Sequence, residues 1–168
     1  NHADEKIISL LPDTQEWIGM DELIGSAVRR LKRYMPKAQI EVHLPEAALS
    51  LYVHAALIEQ AVFNVLENAA KFSPEHLPVT VDVAEINGAQ IEVAISDQGQ
   101  GIPEDERSRI FDMFYTMERG DRGQYGTGLG LTIVKAIVGA HMGQISASSG
   151  KNGKGTCIRI VLPIQQNS

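Results

Sequence analysis

The stretch VTVDVAEINGAQIEVAISDQGQGI, residues 79–102, decides the fold class of this chain. Val79, Val81 and Val83 alternate with polar or small residues, as do Ile91, Val93 and Ile95. A period of two is that of a strand with one face on a core. Asn87-Gly88 lies between the runs, and this pair tolerates positive φ at both centres of a tight turn, so an antiparallel hairpin is expected. The second strand runs on to Asp97, which shares a face with three β-branched residues. A carboxylate aimed at a core needs a partner. Gly99 and Gly101 follow at once, so the backbone can turn closely around something. Two readings stand: an Asx-type turn closing the strand, or a carboxylate offered to a ligand's amino group.

Working outward, Leu57, Ala61, Val62, Val65, Leu66 and Ala69 recur at helical spacing from Ala55 to Phe72, and Ser73-Pro74 stops the pattern. Leu23, Ile24, Ala27, Val28 and Leu31 predict an earlier helix, with Asp21 and Glu22 suited to its start. Strands are expected at residues 7–11, 40–44 and 51–53. Residues 103–125 keep no sustained period and read as a loop with a turn of helix near Glu104–Phe111. A helix then runs from Gly128 to His141. Strands near Gln144–Ser148 and Thr156–Leu162 flank the glycine-rich turn Gly150–Gly155. Two hairpins make the mixed sheet largely antiparallel, with helices on one face: an α+β two-layer sandwich.

With 168 residues, 43% of them hydrophobic, the chain can bury one real core. Its net charge of −6 argues against a nucleic-acid partner. The cluster Arg29, Arg30, Lys32, Arg33, Lys37 reads as the solvated face and last turn of a helix. Cys157 is the single cysteine, which excludes an internal disulfide. No apolar run approaches the ~20 residues that span a bilayer, and no signal peptide is visible. Residues 1–5 are polar and start without Met, as after a cut in a longer protein, so an anchor elsewhere is compatible. The five histidines share no metal-like spacing with Cys157 or each other.

Four segments carry chemistry together. Asn64, Asn68 and Lys71 fall on one stripe of the 55–72 helix. An amide oxygen suits Mg²⁺, which prefers oxygen and keeps waters and phosphates in its shell. A lysine supplies a point charge to phosphate. The alternative is a solvated helix face. Gly126, Gly128 and Gly130 stand before a helix, where unpaired N–H groups and the dipole attract phosphate. Their spacing is neither the dinucleotide fingerprint nor the P-loop. Gly153-Lys154-Gly155-Thr156 alone could be an ordinary hairpin turn. Asp97 could receive an adenine amino group. In this order the four suggest a Mg-ATP site.

The chain thereby resembles the catalytic and ATP-binding domain of two-component sensor histidine kinases, in the superfamily that includes gyrase, MutL and heat-shock chaperone ATPases (a Bergerat-type fold). Asn64–Lys71 is similar to the family's N box and Asp97–Ile102 to its first glycine box. Phe111 and Phe114 look like the F box. Gly126, Thr127, Gly128, Leu129, Gly130 and Leu131 resemble the second glycine box, and Gly153–Thr156 the third. The run Ile110–Gly120 and Ala140–Gly143 look most like the osmosensitive, potassium-responsive members. The resemblance covers about residues 16–163.

The resemblance implies that Asn68 ligates Mg²⁺, with Asn64 and Lys71 near the phosphates in catalytic positions. It implies that Asp97 binds the adenine amino group, assisted by Thr156 through water, with Gly99, Gly101 and Ile102 around the base. Residues 102–127 would form a lid over ATP, anchored by Phe111 and Phe114. Thr116 stands where many members carry Arg, so a phosphate-contacting arginine falls to Arg119 or Arg122. None of the five histidines has the His-Glu/Asp-Leu-Arg-Thr-Pro neighbours of the family's phosphoacceptor, and the acid beside it is missing too. The expected chain binds ATP and Mg²⁺ and does not autophosphorylate alone; a dimerisation and phosphoacceptor domain and a response regulator are the implied partners. Residues 1–15 then end a linker from the dimerisation helices and 16–168 form the catalytic domain, cytoplasmic in an inner-membrane sensor and without membrane contact of its own. A conformational ATPase clamp is the alternative. Such clamps place a water-activating acid where Asn64 stands. A degenerate binding module is the third possibility, opposed by four intact segments.

Overall fold

The structure is a computed structural model that describes residues 15–112 and 130–164. In chain order it runs β1 (Glu16–Gly19), α1 (Met20–Tyr34), β2 (Ile40–His43), β3 (Ser50–Val53), α2 (Ala55–Phe72), β4 (Val79–Ile86), β5 (Gln90–Ser96), two 3₁₀ turns (Glu104–Glu106 and Arg109–Phe111), α3 (Gly130–Ala140), β6 (Gln144–Ser149), a 3₁₀ turn (Lys151–Gly153) and β7 (Thr156–Pro163). The main sheet has the order β2-β4-β5-β7-β6, and β1 pairs with β3 in a separate two-stranded sheet. The pair β2–β4 is parallel, whereas β4–β5, β5–β7 and β6–β7 are antiparallel. This is the expected α+β sandwich with a mixed, largely antiparallel sheet.

The strand alternation explains the core. Val79, Val81 and Val83, Ile91, Val93 and Ile95, and Ile158, Ile160 and Leu162 are all buried. They meet a helical layer that buries Leu23, Ile24, Ala27 and Leu31 of α1, Ile58, Val62, Val65 and Leu66 of α2, and Val134, Ile137 and Val138 of α3. Each such side chain contributes about 1.5–3 kcal/mol by leaving water. Asp21 and Glu22 in the first turn of α1, and Lys32 and Arg33 in its last, complement the helix dipole. Arg30 departs from the solvated basic face: its guanidinium lies 4.0 Å from the Phe63 ring centre and 4.0 Å from the Glu59 carboxylate.

The 79–95 hairpin closes as the dipeptide requires. Asn87 has φ 56° and Gly88 φ 65°, the left-handed pair of a type I′ turn. Asn87→Ala is therefore expected to lower stability by about 1 kcal/mol, because alanine lacks asparagine's tolerance of that region. Urea denaturation checks this, with an unchanged slope on denaturant.

Three elements differ from the sequence reading. β1 has no apolar alternation and was not foreseen, while α1 starts at Met20, capped by Gly19 without a side-chain hydrogen bond. The expected turn near Glu104–Phe111 forms as two short 3₁₀ segments. The strand expected at residues 7–11, and the part of the third helix at 128–129, lie outside the described residues. No helix among the described residues is long and apolar enough to cross a membrane.

Candidate nucleotide site

Asp97 directly follows β5 and is buried. Its Oδ1 accepts hydrogen bonds from the Gly99 N–H at 2.9 Å and from the Thr156 N–H at 3.2 Å. The Asp97 N–H donates in turn to the Thr156 carbonyl at 2.9 Å. The Asx-type reading of this residue holds, and a further backbone bond is added to it. The first bond is an Asx-type closure; the second joins the carboxylate to the start of β7 and fixes its plane. Asp97, Asn68, Phe72, Gln100, Gly101, Ile102 and Thr156 line one hollow whose enclosed part is about 20 Å³. That is room for roughly one water.

The glycines here serve chain-to-chain approach first. A Cβ on Gly99 would strike the Phe72 carbonyl, and one on Gly155 (φ 70°) would strike the Asp97 carbonyl. Gly101, at φ 82°, would place a Cβ 3.1 Å from the Gly155 carbonyl oxygen. The first and third glycine segments thus lie against each other, with Asp97 between them. Gly130 differs. Among the described residues, a Cβ there meets nothing within 4 Å.

Asn64 joins the two helices of the site. Its Nδ2 donates to the Gly130 carbonyl at 3.3 Å, and its Oδ1 accepts from Gln60 Nε2 at 2.6 Å. Leu131 and Ile102 are half-buried against the core. Phe111 is buried, and its carbonyl accepts the Thr132 hydroxyl at 3.0 Å, which fixes the residues after the first glycine segment to α3. Arg107, which carried no sequence signal, braces the same segment: Nε donates to the Ile102 carbonyl at 3.2 Å and Nη2 to Ser149 Oγ at 3.0 Å. Lys71 is not among the residues lining the hollow. It lines a separate groove of about 560 Å³ with Met35, Ala38, Pro74 and Leu77, and its Nζ lies 4.0 Å from Glu67 Oε1. Phe114, Arg119, Arg122, Gly126, Thr127, Gly128 and Leu129 lie outside the described residues.

Of the sequence-named residues, Asn68, Asp97, Gly101, Ile102 and Thr156 thus meet at one hollow, with Gly99 behind it. Asn64, Gly130, Leu131 and Phe111 belong to its helical flank. This arrangement has counterparts. Residues 53–166 match the family described as histidine kinase-, DNA gyrase B-, and HSP90-like ATPase. The chain is 37% identical over 126 residues to the adaptive-response sensory kinase SasA of Gloeothece citriformis, covering 75% of this chain and 32% of that protein. It is 35% identical over 153 residues to the sensor protein KdpD of Escherichia coli, covering 90% of this chain and 16% of that protein. A solved structure of a mycobacterial sensor histidine kinase, MprB, superposes with a TM-score of 0.78 at 34% identity, covering 89% of this chain and 97% of that one. The chain belongs to this ATPase family, as a histidine kinase catalytic, ATP-binding domain. It spans about a third or less of the length of these two curated relatives. With relatives of several names at similar identity, the finer likeness to potassium-responsive kinases is not what the comparisons single out.

Proposed function

We propose that the hollow at the end of β5 receives the adenine of Mg-ATP, and that this domain delivers the γ-phosphoryl group to a histidine on a separate dimerisation domain. The convergence of Asn68, Asp97, Gly101, Ile102 and Thr156 supports this most directly. Asp97, already turned by two backbone N–H groups, accepts the adenine amino group, and Thr156 assists through a water that the enclosed space can hold. The base itself lies toward the open side. The first turn of α3, from Gly130, presents its N–H groups to phosphate. Gly126, Thr127, Gly128 and Leu129 complete that segment, and Phe111 and Phe114 anchor the lid.

Asn68 is the proposed magnesium ligand. Its amide oxygen is a hard donor, and among the described residues no group of three or more His, Cys, Asp or Glu could hold a metal. Phosphates and water complete the ion's shell, as magnesium prefers. When bound, it neutralises phosphate charge. Asn64 holds the start of α3 in place, and Lys71 adds positive charge at the rim of α2. Phosphoryl transfer depends mainly on positioning and charge stabilisation, which this set can supply without a nucleophile of its own.

By the same reading, residues 1–15 end a linker from the dimerisation helices and 16–168 form the catalytic domain. The whole protein is a membrane-anchored sensor that phosphorylates a response regulator, with this domain in the cytoplasm. The run Ile110–Gly120 supports a potassium-responsive sensor. Calorimetric titration with ATP, with and without magnesium, tests the site, and tighter binding with the metal is expected. Mixing the domain with its dimerisation helices and labelled ATP tests the reaction. Acid-labile phosphate on protein is expected; free phosphate alone would instead indicate an ATPase clamp.

A further inference from the structure

We infer that His141 is a positioning residue for nucleotide binding, holding α2 against α3 through the backbone of His54, and that it releases this hold on taking up a proton. The inference rests on the nucleotide site lying between those helices. α2 and α3 run antiparallel and are joined at two levels. Near the site, Asn64 Nδ2 donates to the Gly130 carbonyl at 3.3 Å. At the far end, the His54 N–H donates to His141 Nε2 at 3.3 Å. His54 is the N-cap of α2 and lacks a side-chain capping bond. Ten residues of helix, about 15 Å, separate the two levels. A hinge at the far end would therefore move Asn64 and Asn68 relative to the start of α3.

The bonds themselves decide the protonation state. His141 Nδ1 lies 2.8 Å from the Ile137 carbonyl, which can only accept, so Nδ1 carries a proton. Nε2 must then carry a lone pair to accept the His54 N–H. The ring is neutral, and an imidazolium would set two donors face to face. The surroundings favour neutrality: burial lowers the His141 pKa below its ordinary 6.5, the Ile137 carbonyl opposes that, and the charge of His54 lowers it further. The His54 ring stands edge-on, 5.6 Å away, with its Nδ1 buried and without a hydrogen-bond partner among the described residues. β6 brings no ionisable side chain. α3 carries Lys135, six residues back and off the His141 stripe. Neither the bond to Ile137 nor any described carboxylate offsets the loss of the acceptor when the ring charges.

The sign follows from linkage. With the folded pKa below the unfolded one, the unfolded chain takes the proton first. Stability is whole above about pH 6.5 and falls as pH drops below it toward the folded pKa.

The test compares the domain with His141→Gln and His141→Ala between pH 5.5 and 7.5. Glutamine offers a neutral oxygen acceptor that does not titrate. The Kd of wild type for Mg-ATP should rise about fivefold or more on acidification relative to His141→Gln, the low end of usual coupling between sites. ATP's own protonation cancels in that ratio. At pH 7.5, His141→Ala should bind more weakly and His141→Gln close to wild type. In the nucleotide-free domain, exchange protection of the His54 amide should fall in acid in wild type and stay level in His141→Gln. Parallel pH curves for wild type and His141→Gln, or a glutamine variant as weak as alanine, would overturn the inference, as would a His54 amide indifferent to pH. The amide readout needs no nucleotide. A wrong nucleotide assignment thus shows as absent binding at every pH while that amide still reports the contact.

Discussion

Asp97→Asn is expected to weaken Mg-ATP binding about a hundredfold while leaving the domain folded, because a hydrogen bond to a charged group is worth ~1.5–3 kcal/mol and a mismatched donor adds to the loss. The fold survives because asparagine retains an oxygen at the Oδ1 position. The Gly99 and Thr156 N–H groups at 2.9 and 3.2 Å still find their acceptor. The change falls on the other atom of the head group. With its oxygen held by two backbone donors, the amide must turn its NH₂ outward, toward the adenine amino group, and donor then faces donor. The same geometry predicts a narrowed preference for ATP over GTP, since guanine offers a carbonyl where adenine offers an amine. Calorimetric Kd values with thermal midpoints check this. A midpoint within a few degrees of wild type with ATP affinity unchanged would remove Asp97 from the base site.

How much of this was legible in the sequence depends on the range of the interaction. The hairpin was readable because its signals are local: period-two valines and isoleucines, and an Asn-Gly pair whose φ values came out at 56° and 65°. The span of α2 was readable because Ser73-Pro74 stops it. β1 was not, since its four residues include one glutamate, one tryptophan and a glycine. It becomes a strand by pairing with β3, where Trp17 lies opposite Tyr52, a long-range event that no window of sequence contains. The site divides in the same way. Asp97 announced itself as an acid on an apolar face. The reason for Gly99 and Gly101 did not: the glycines make room for Phe72 and Gly155 as well as for a ligand. Helical spacing put Lys71 on one stripe with Asn68. Lys71 is not among the residues lining the hollow with Asn68; it lines the groove beside Met35 and Leu77, with its Nζ 4.0 Å from Glu67 Oε1 one turn back on the same helix. Arg107 and the His54–His141 contact had no signal, because each joins elements that become neighbours only on folding.

Gly155→Ala should be among the most disruptive small substitutions in the domain, costing about 2–4 kcal/mol of stability through strain and backbone displacement together. At φ 70° an alanine pays the left-handed penalty alone, about 1 kcal/mol. Its Cβ would also meet the Asp97 carbonyl, which cannot rotate away like a side chain. Either β7 or the end of β5 must retreat, and both the Asp97–Thr156 backbone bond and the bond from the Thr156 N–H to Asp97 Oδ1 cross that gap. Gly153→Ala is the internal control. Its φ is 74°, yet among the described residues a Cβ there meets nothing within 4 Å, so it should cost only the left-handed penalty. Urea unfolding of the two variants isolates the steric part as their difference, about 1–3 kcal/mol. Because the displaced atoms are those that orient the carboxylate, Gly155→Ala should lose ATP affinity even where it remains folded, and Gly153→Ala should keep it. Equal stabilities for the two variants would show that the contact between the third glycine segment and Asp97 is not what holds the carboxylate in place.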